Sequence, residues 1–276
     1  MHSTPCSQHR VEHLRAPNEK SVLLAKLNPM TNKTRDNPST TFAVDPYIQL
    51  LTQQNGDQFG IVLVANWPPS QSTTQPYKIF LEKVHSCFEP EDLRGNPPAA
   101  YFYPPEHLHI TIATFTPFTT SKPDDIQKYS ECCTRVMKQS FEKPDWPNAA
   151  FSVEIDRMQI GEKAGIILWR DDGQFAAMRK ILQEEFDNNF NLDPSAFDNR
   201  RVIIPPIIHS TFLRFGRTVR SDGEVVQAKF KEICSEAKEL FGKVEVKSMK
   251  LVIERVPYMH IPCDENHVLA SHNCEE

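Results

Sequence analysis

Leu108-His109-Ile110-Thr111-Ile112 and, about a hundred positions later, Ile208-His209-Ser210-Thr211-Phe212 are the stretches on which the fold of this chain turns. Each sets a histidine and a threonine two residues apart among apolar and β-branched neighbours, the composition of a strand. Strand side chains alternate between faces, so His109 and Thr111 point one way and Ile110 and Ile112 the other. His209 and Thr211 share a face in the same manner. A single His-x-Thr is common. Two of them, each strand-embedded and each preceded by a proline pair (Pro104-Pro105 and Pro205-Pro206), form a much rarer arrangement.

The segments on either side repeat in the same order. An apolar strand spans 59–66, and Tyr77, Phe80, Leu81, Val84 and Phe88 then recur at helical spacing. A Pro/Gly loop leads into the first motif strand at about 106–115, followed by a helix over 124–141 and a half-exposed strand at 151–155. The second half runs through a strand at 164–169, a helix over 174–190, the second motif strand at about 202–215 and another helix. That last helix opens at Ser221-Asp222-Gly223-Glu224, which has the form of a capping box, and stops at Gly242. A closing strand is expected at 244–256. Openings, histidines and closings recur after 103, 100 and 93 positions (61 to 164, 109 to 209, 153 to 246). The pattern predicts an α+β fold of two pseudo-symmetric sheet-and-helix lobes around a central cleft, with repeats at about 57–158 and 162–258. In such a fold the two motif strands face one another.

The ends are read differently. Residues 1–40 are polar and rich in Ser, Thr, Asn and Pro, which predicts a disordered tail, and 261–276 reads as a loose end to a domain over 42–260. A short helix is expected near 46–53. Cys6, His9 and His13 lack the fourth ligand of a good metal site, and Glu12, Glu19 and Asp36 interrupt the acid-poor character of a transit peptide.

With 276 residues, 39% of them hydrophobic and 24% charged, the chain suits one or two soluble domains, and it has no apolar run of membrane-spanning length. The net charge of −5 argues against nonspecific coating of nucleic acid but leaves room for a small phosphate-binding cleft. Seven cysteines show no disulfide-framework spacing. Cys87, Cys132, Cys133 and Cys234 fall in helical patterns as buried reduced thiols, so a cytoplasmic setting is expected, with nuclear or organellar residence left open. A monomer is expected, and no membrane partner.

Two opposed imidazoles can act as base and acid in one displacement, because histidine titrates near neutrality. A threonine hydroxyl beside each can donate to an anionic oxygen. Four such groups enclose a phosphate-sized volume, equipment for phosphodiester hydrolysis with no metal and no cofactor. A cyclic phosphate needs little else, since ring strain already activates it. The competing readings are core histidines and, for His107-Leu108-His109, a His-x-His metal site, which the second motif does not match. His85, His260, His267 and His272 carry no assigned role.

The two motifs, their separation and the strand-helix order resemble the 2H phosphoesterase superfamily, which includes RNA-ligase-like bacterial phosphoesterases, eukaryotic cyclic phosphodiesterases and the phosphoesterase domain of certain A-kinase anchor proteins. The resemblance covers about residues 57–258. It implies a bilobal α+β fold, catalytic roles for His109 and His209, and phosphate contacts from Thr111 and Thr211. It also implies as substrates RNA 2′,3′-cyclic ends or related nucleotides. Members often carry an arginine five residues after the second histidine, where this chain has Arg214, although strict alternation turns Arg214 away from the cleft unless a bulge intervenes. Tyr103 and Tyr258, with Trp67, Tyr101 and Phe102, are candidates for stacking a base at the cleft rim. Arg200 and Arg201 are candidates for phosphate contact, though an exposed solvated pair is the plainer reading. The alternative function is a binding module that captures a nucleotide or RNA end without turnover.

Overall fold

A computed structural model describes residues 41–52, 59–118 and 121–275. The first half contributes β1 (Gly60–Ala65), α1 (Gln71–His85), β2 (Ala100–Phe102), β3 (Ile110–Thr116), α2 (Ile126–Phe141) and β4 (Phe151–Ile160). The second contributes β5 (Ala164–Arg170), α3 (Gln174–Leu192), β6 (Ile208–Phe215), α4 (Gly223–Phe241), β7 (Lys243–Val246) and β8 (Ser248–Glu254), and β9 (Val268–Asn273) is the last strand among the described residues. These strands make two curled antiparallel sheets, β3-β1-β8-β9 and β2-β6-β5-β4-β7. The expected α+β, two-lobed architecture is present.

The halves are not two separate lobes in sequence. Each sheet sets a motif strand beside the opening strand of its own half and then the closing strand of the other half: β3-β1-β8 and β6-β5-β4. Alternation explains how each strand serves two surfaces. In the first sheet, Ile61, Leu63, Ala65, Met249, Leu251 and Ile253 turn to the main core, which the helices cover. Val64 and Val252 turn to the opposite face with Trp67, Met259 and Ile261. On the helical side, Phe80, Phe212 and Phe230 pack edge-on and stacked, with Phe80–Phe212 centroids 5.1 Å apart.

Three expectations need correction. The stretch 244–256 is two strands, because the chain leaves the second sheet after Val246 and enters the first at Ser248. Of the end expected to be loose, 261–276, the described part 261–275 is ordered: β9 pairs along β8 from Asn273 opposite Ser248 to Val268 opposite Val252. The preceding strand β8 supplies that order across the sheet, so the local polarity of Ser271, His272 and Asn273 misleads. The capping box is not formed. Asp222 is the cap, accepting from the N–H groups of Glu224 and Val225, while the Ser221 hydroxyl donates to Asp92 Oδ2 at 2.5 Å. The short helix expected near 46–53 is present, as a 3-10 helix over Pro46–Thr52. The expectations for residues 1–40, including Cys6, His9 and His13, lie outside the described residues. Among the described residues, no helix is long and apolar enough to cross a membrane.

Candidate active site

The proline pairs mark crossings between the sheets. Strand β2, just before Pro104-Pro105, pairs with β6, and Tyr103 N–H donates to Phe212 O at 2.9 Å. Reciprocally Ile203, just before Pro205-Pro206, exchanges two backbone hydrogen bonds with Thr114 on β3, at 2.8 and 2.9 Å. Each motif strand is therefore held by the approach segment of the other motif. Proline donates no backbone hydrogen bond, so the pairs fall where the chain leaves one ladder before starting the next.

Both motif strands then bulge at the same place. Opposite β1, Ala113 pairs with Leu63 and Thr111 with Val64, so Ile112 is the extra residue. Opposite β5, Leu213 pairs with Gly165 and Thr211 with Ile166, so Phe212 is extra. A bulge lets two successive residues face the core, here Ile112 with Ala113 and Phe212 with Leu213, all fully buried. The next residue returns to the cleft. That residue is Thr114 in the first half and Arg214 in the second, so the bulge that Arg214 required is in place. Gly165 makes room for it, because a Cβ there would lie 2.6 Å from the Phe212 ring.

The result is one pocket of about 240 Å³ lined by His109, Thr111, Thr114, His209, Thr211, Arg214, Tyr103, Tyr258 and Glu254, with Val62, Pro117, Phe118, Ile203 and Pro205. All four motif side chains share it. A larger groove of about 820 Å³ along the outer face of α2 contains none of them.

His109 Nδ1 is hydrogen-bonded to the His107 carbonyl at 2.8 Å, which leaves Nε2 for the pocket. Burial pushes its pKa down to about 4, with the neighbouring His209 and His107 acting in the same direction. His209 is also pushed down by burial and then by the Arg179 and Arg214 charges, against the Ile207 carbonyl, which favours its protonated form. Its Nδ1 nevertheless completes no well-formed hydrogen bond. Both imidazoles are thus held towards the neutral form.

Arg214 reaches the pocket with Nη1 3.2 Å from Asp45 Oδ2 and its guanidinium 4.7 Å from the centre of the Tyr258 ring. Tyr258 donates to the same carboxylate oxygen at 2.6 Å. The Tyr103 hydroxyl and the Arg214 guanidinium neighbour each other, buried in the pocket wall, and the guanidinium favours the ionised form of the phenol against the burial that raises its pKa. Arg179, on α3, ties both motifs together. It donates to Ile112 O and Thr111 O at 3.1 Å each and to Ile207 O at 2.9 Å.

The other sequence candidates are elsewhere. Trp67 is buried in the second apolar cluster, and Phe102 packs on Phe88 and His85. Tyr101 binds His260 Nε2 through its hydroxyl at 2.6 Å. Arg200 pairs with Asp198, and Arg201 pairs with Asp187 over the Phe190 ring. None of these lines the pocket. His260, left without a role, packs against His107 with ring centroids 4.4 Å apart, tilted by 39°. Thr114, Arg179 and Glu254 were missed. Thr114 had a signal, since it stands at the same offset from His109 as Arg214 from His209, and Glu254 had one in ending the apolar run Leu251-Val252-Ile253. Arg179 looks like any helix-surface arginine. Among the described residues, no three His, Cys, Asp or Glu side chains converge as a metal-binding group.

No family model matches the sequence, and no curated protein does. Solved structures similar to it include a conserved protein of unknown function from Agrobacterium tumefaciens strain C58, at 12% identity over 78% of this chain and 87% of that one, with a TM-score of 0.49. Escherichia coli LigT complexed with 3′-AMP is 11% identical over 80% of this chain and 99% of its own, with a TM-score of 0.42. The protein TT0787 of Thermus thermophilus is 12% identical over 78% of this chain and 97% of its own, with a TM-score of 0.41.

Proposed function

We propose that this chain is a phosphodiesterase of the 2H phosphoesterase type that hydrolyses 2′,3′-cyclic phosphates, or related phosphodiesters, of RNA ends or nucleotides. The observation that supports this reading is the convergence of His109, Thr111, His209, Thr211 and Arg214 on one small pocket. One imidazole takes the proton of the incoming water and the other protonates the departing ribose oxygen. The threonine hydroxyls and Arg214 hold the nonbridging oxygens, where negative charge grows as the reaction proceeds. Both imidazoles favour the neutral form before substrate binds. A bound phosphate anion favours the imidazolium, so substrate itself recruits the proton that the acid needs.

The test is incubation with 2′,3′-cyclic nucleotides, cyclic-ended RNA, ADP-ribose cyclic phosphate and 2′,5′-linked oligonucleotides, with products read by phosphorus NMR. Turnover that survives EDTA is expected. Turnover abolished by EDTA and restored by zinc or manganese overturns the metal-independent mechanism. Tight binding of these compounds without any turnover overturns the enzyme and leaves the binding module.

A further inference from the structure

Glu254 ends β8 on the face opposite the main core and is 5% exposed. Its Oε1 accepts from Met259 N–H at 2.6 Å. Among the described residues no Lys or Arg pairs with it, and Oε2 has no hydrogen-bond partner. A buried carboxyl without a cation is costly, and such groups concentrate where they act on a ligand. Burial pushes its pKa up to about 7, and the ionisable neighbour that responds to its charge is Tyr103, in the same pocket.

The backbone around it is arranged for it. Gly60 is its partner across the ladder, and a Cβ there would come within 2.8 Å of Oε2 and 3.2 Å of Phe118 N. Met259, which supplies the one donor, sits at φ 62° beside Tyr258 at φ 59°, two successive non-glycine residues in the left-handed region. Such strain persists where the surroundings enforce it, commonly at ligand sites.

Its position along the cleft matters equally. On β1, Val64 pairs with Thr111, Val62 with Thr114, and Gly60 with Glu254. Four residues of strand separate the Thr111 row from the Glu254 row, about 13 Å at the usual rise. Val62 lies between them, and Pro117 and Phe118 line the Glu254 end beside Gly60. Along this wall the threonine rows give way to apolar side chains beside a single carboxyl, the order of phosphate, sugar and base in a nucleotide, while Tyr103 neighbours both Glu254 and Arg214.

We propose that Glu254 is a specificity-determining residue: Oε2 accepts a hydrogen bond from a ring N–H on the Watson–Crick edge of the substrate's base. Guanine and uracil present such an N–H. Adenine and cytosine present a bare ring nitrogen at the equivalent place, whose lone pair a carboxylate repels. The inference rests on the phosphodiesterase reading for its substrate class.

The experiment measures kcat/KM of the full chain at pH 8.5, where Glu254 is ionised, on the four 2′,3′-cyclic nucleotides and on bis(p-nitrophenyl) phosphate, a phosphodiester without a base. About tenfold or greater preference for guanosine and uridine is expected, on the scale of one charged hydrogen bond. Glu254→Gln keeps an acceptor for Met259 N–H but turns its other arm into a donor. It should raise KM for the guanosine and uridine substrates and erase their advantage, both over the other bases and relative to bis(p-nitrophenyl) phosphate. Indifference of the wild type to the base, or a preference that survives Glu254→Gln, overturns the proposal. Where the Gln variant does not fold, Glu254→Asp, which withdraws the carboxylate, must show the same erosion. If none of the five substrates turns over, the phosphodiesterase reading falls. The same base series read as dissociation constants by calorimetry then decides Glu254 separately.

Discussion

Strand β3, with His109 directly ahead of it, and strand β6 share the same His-x-Thr, the same bulge three residues past the histidine and the same return to the cleft two residues later. What they present there differs: Thr114 on one and Arg214 on the other. The histidines differ as well. His109 is anchored through Nδ1 and backed by His107 and His260, whereas His209 lacks that anchor and lies between Arg179 and Arg214. A duplicated backbone has been given unlike surroundings, as a reaction needs when it requires a base on one side and an acid on the other.

The comparison is tested most severely at the histidines. His109→Ala and His209→Ala should each lower kcat/KM by ~10²–10⁴-fold, and the double variant should fall short of the product of the two losses. A leaving group that needs no proton, such as p-nitrophenolate, should rescue only the variant lacking the acid. Equal rescue of both would mean the halves are chemically interchangeable.

Acid stability gives the next effect. Unfolded histidine titrates near 6.5 and His109 in the fold near 4, so the unfolded chain binds the proton first. The contribution of His109 is complete above pH 6.5 and is lost as pH falls towards 4, a difference of up to about 3 kcal/mol. His260, also held near 4, adds to the fall. Urea denaturation at pH 7 and pH 4.5 should show a smaller acid penalty for His109→Asn than for the wild type. An unchanged penalty would mean that His109 titrates in the fold as it does in the unfolded chain.

Arg214→Val should lower kcat/KM at least tenfold more than Thr114→Val, since only the arginine places a charge against the phosphate. Similar losses would erase the asymmetry between the halves. The smallest effect is expected at Arg179. Replacing it by Met removes a cation that keeps His209 neutral, so the pH-rate limb belonging to His209 should move to higher pH, with a several-fold loss in kcat. A loss of rate with no movement of that limb would leave Arg179 only its structural ties to the Thr111, Ile112 and Ile207 carbonyls.

The motif strands, the four helices and their order could be read in the sequence because they follow from local periodicity. What stayed hidden was long-range. Partner choice in a sheet is not written within a strand, so the exchange of β4 and β8 between halves left no local mark, nor did the pairing that orders β9. Bulges at Ile112 and Phe212 depend on register against β1 and β5, so only the need for one at Arg214 could be stated. Glu254 stood out only as a charge ending an apolar run, since its cleft-facing position depends on pairing with Gly60.

The exchange of closing strands also sets when the site can exist during synthesis. Gly60 waits for Glu254 as its ladder partner, so the first sheet cannot close until Glu254, almost two hundred residues later, has left the ribosome. Until then β1 and β3 form only a two-stranded ribbon, which is marginal on its own. Contacts of such sequence separation are slow to form and leave sheet edges open to other chains. A ribosome stalled within α4 should hold a nascent chain with both histidines made and no pocket around them.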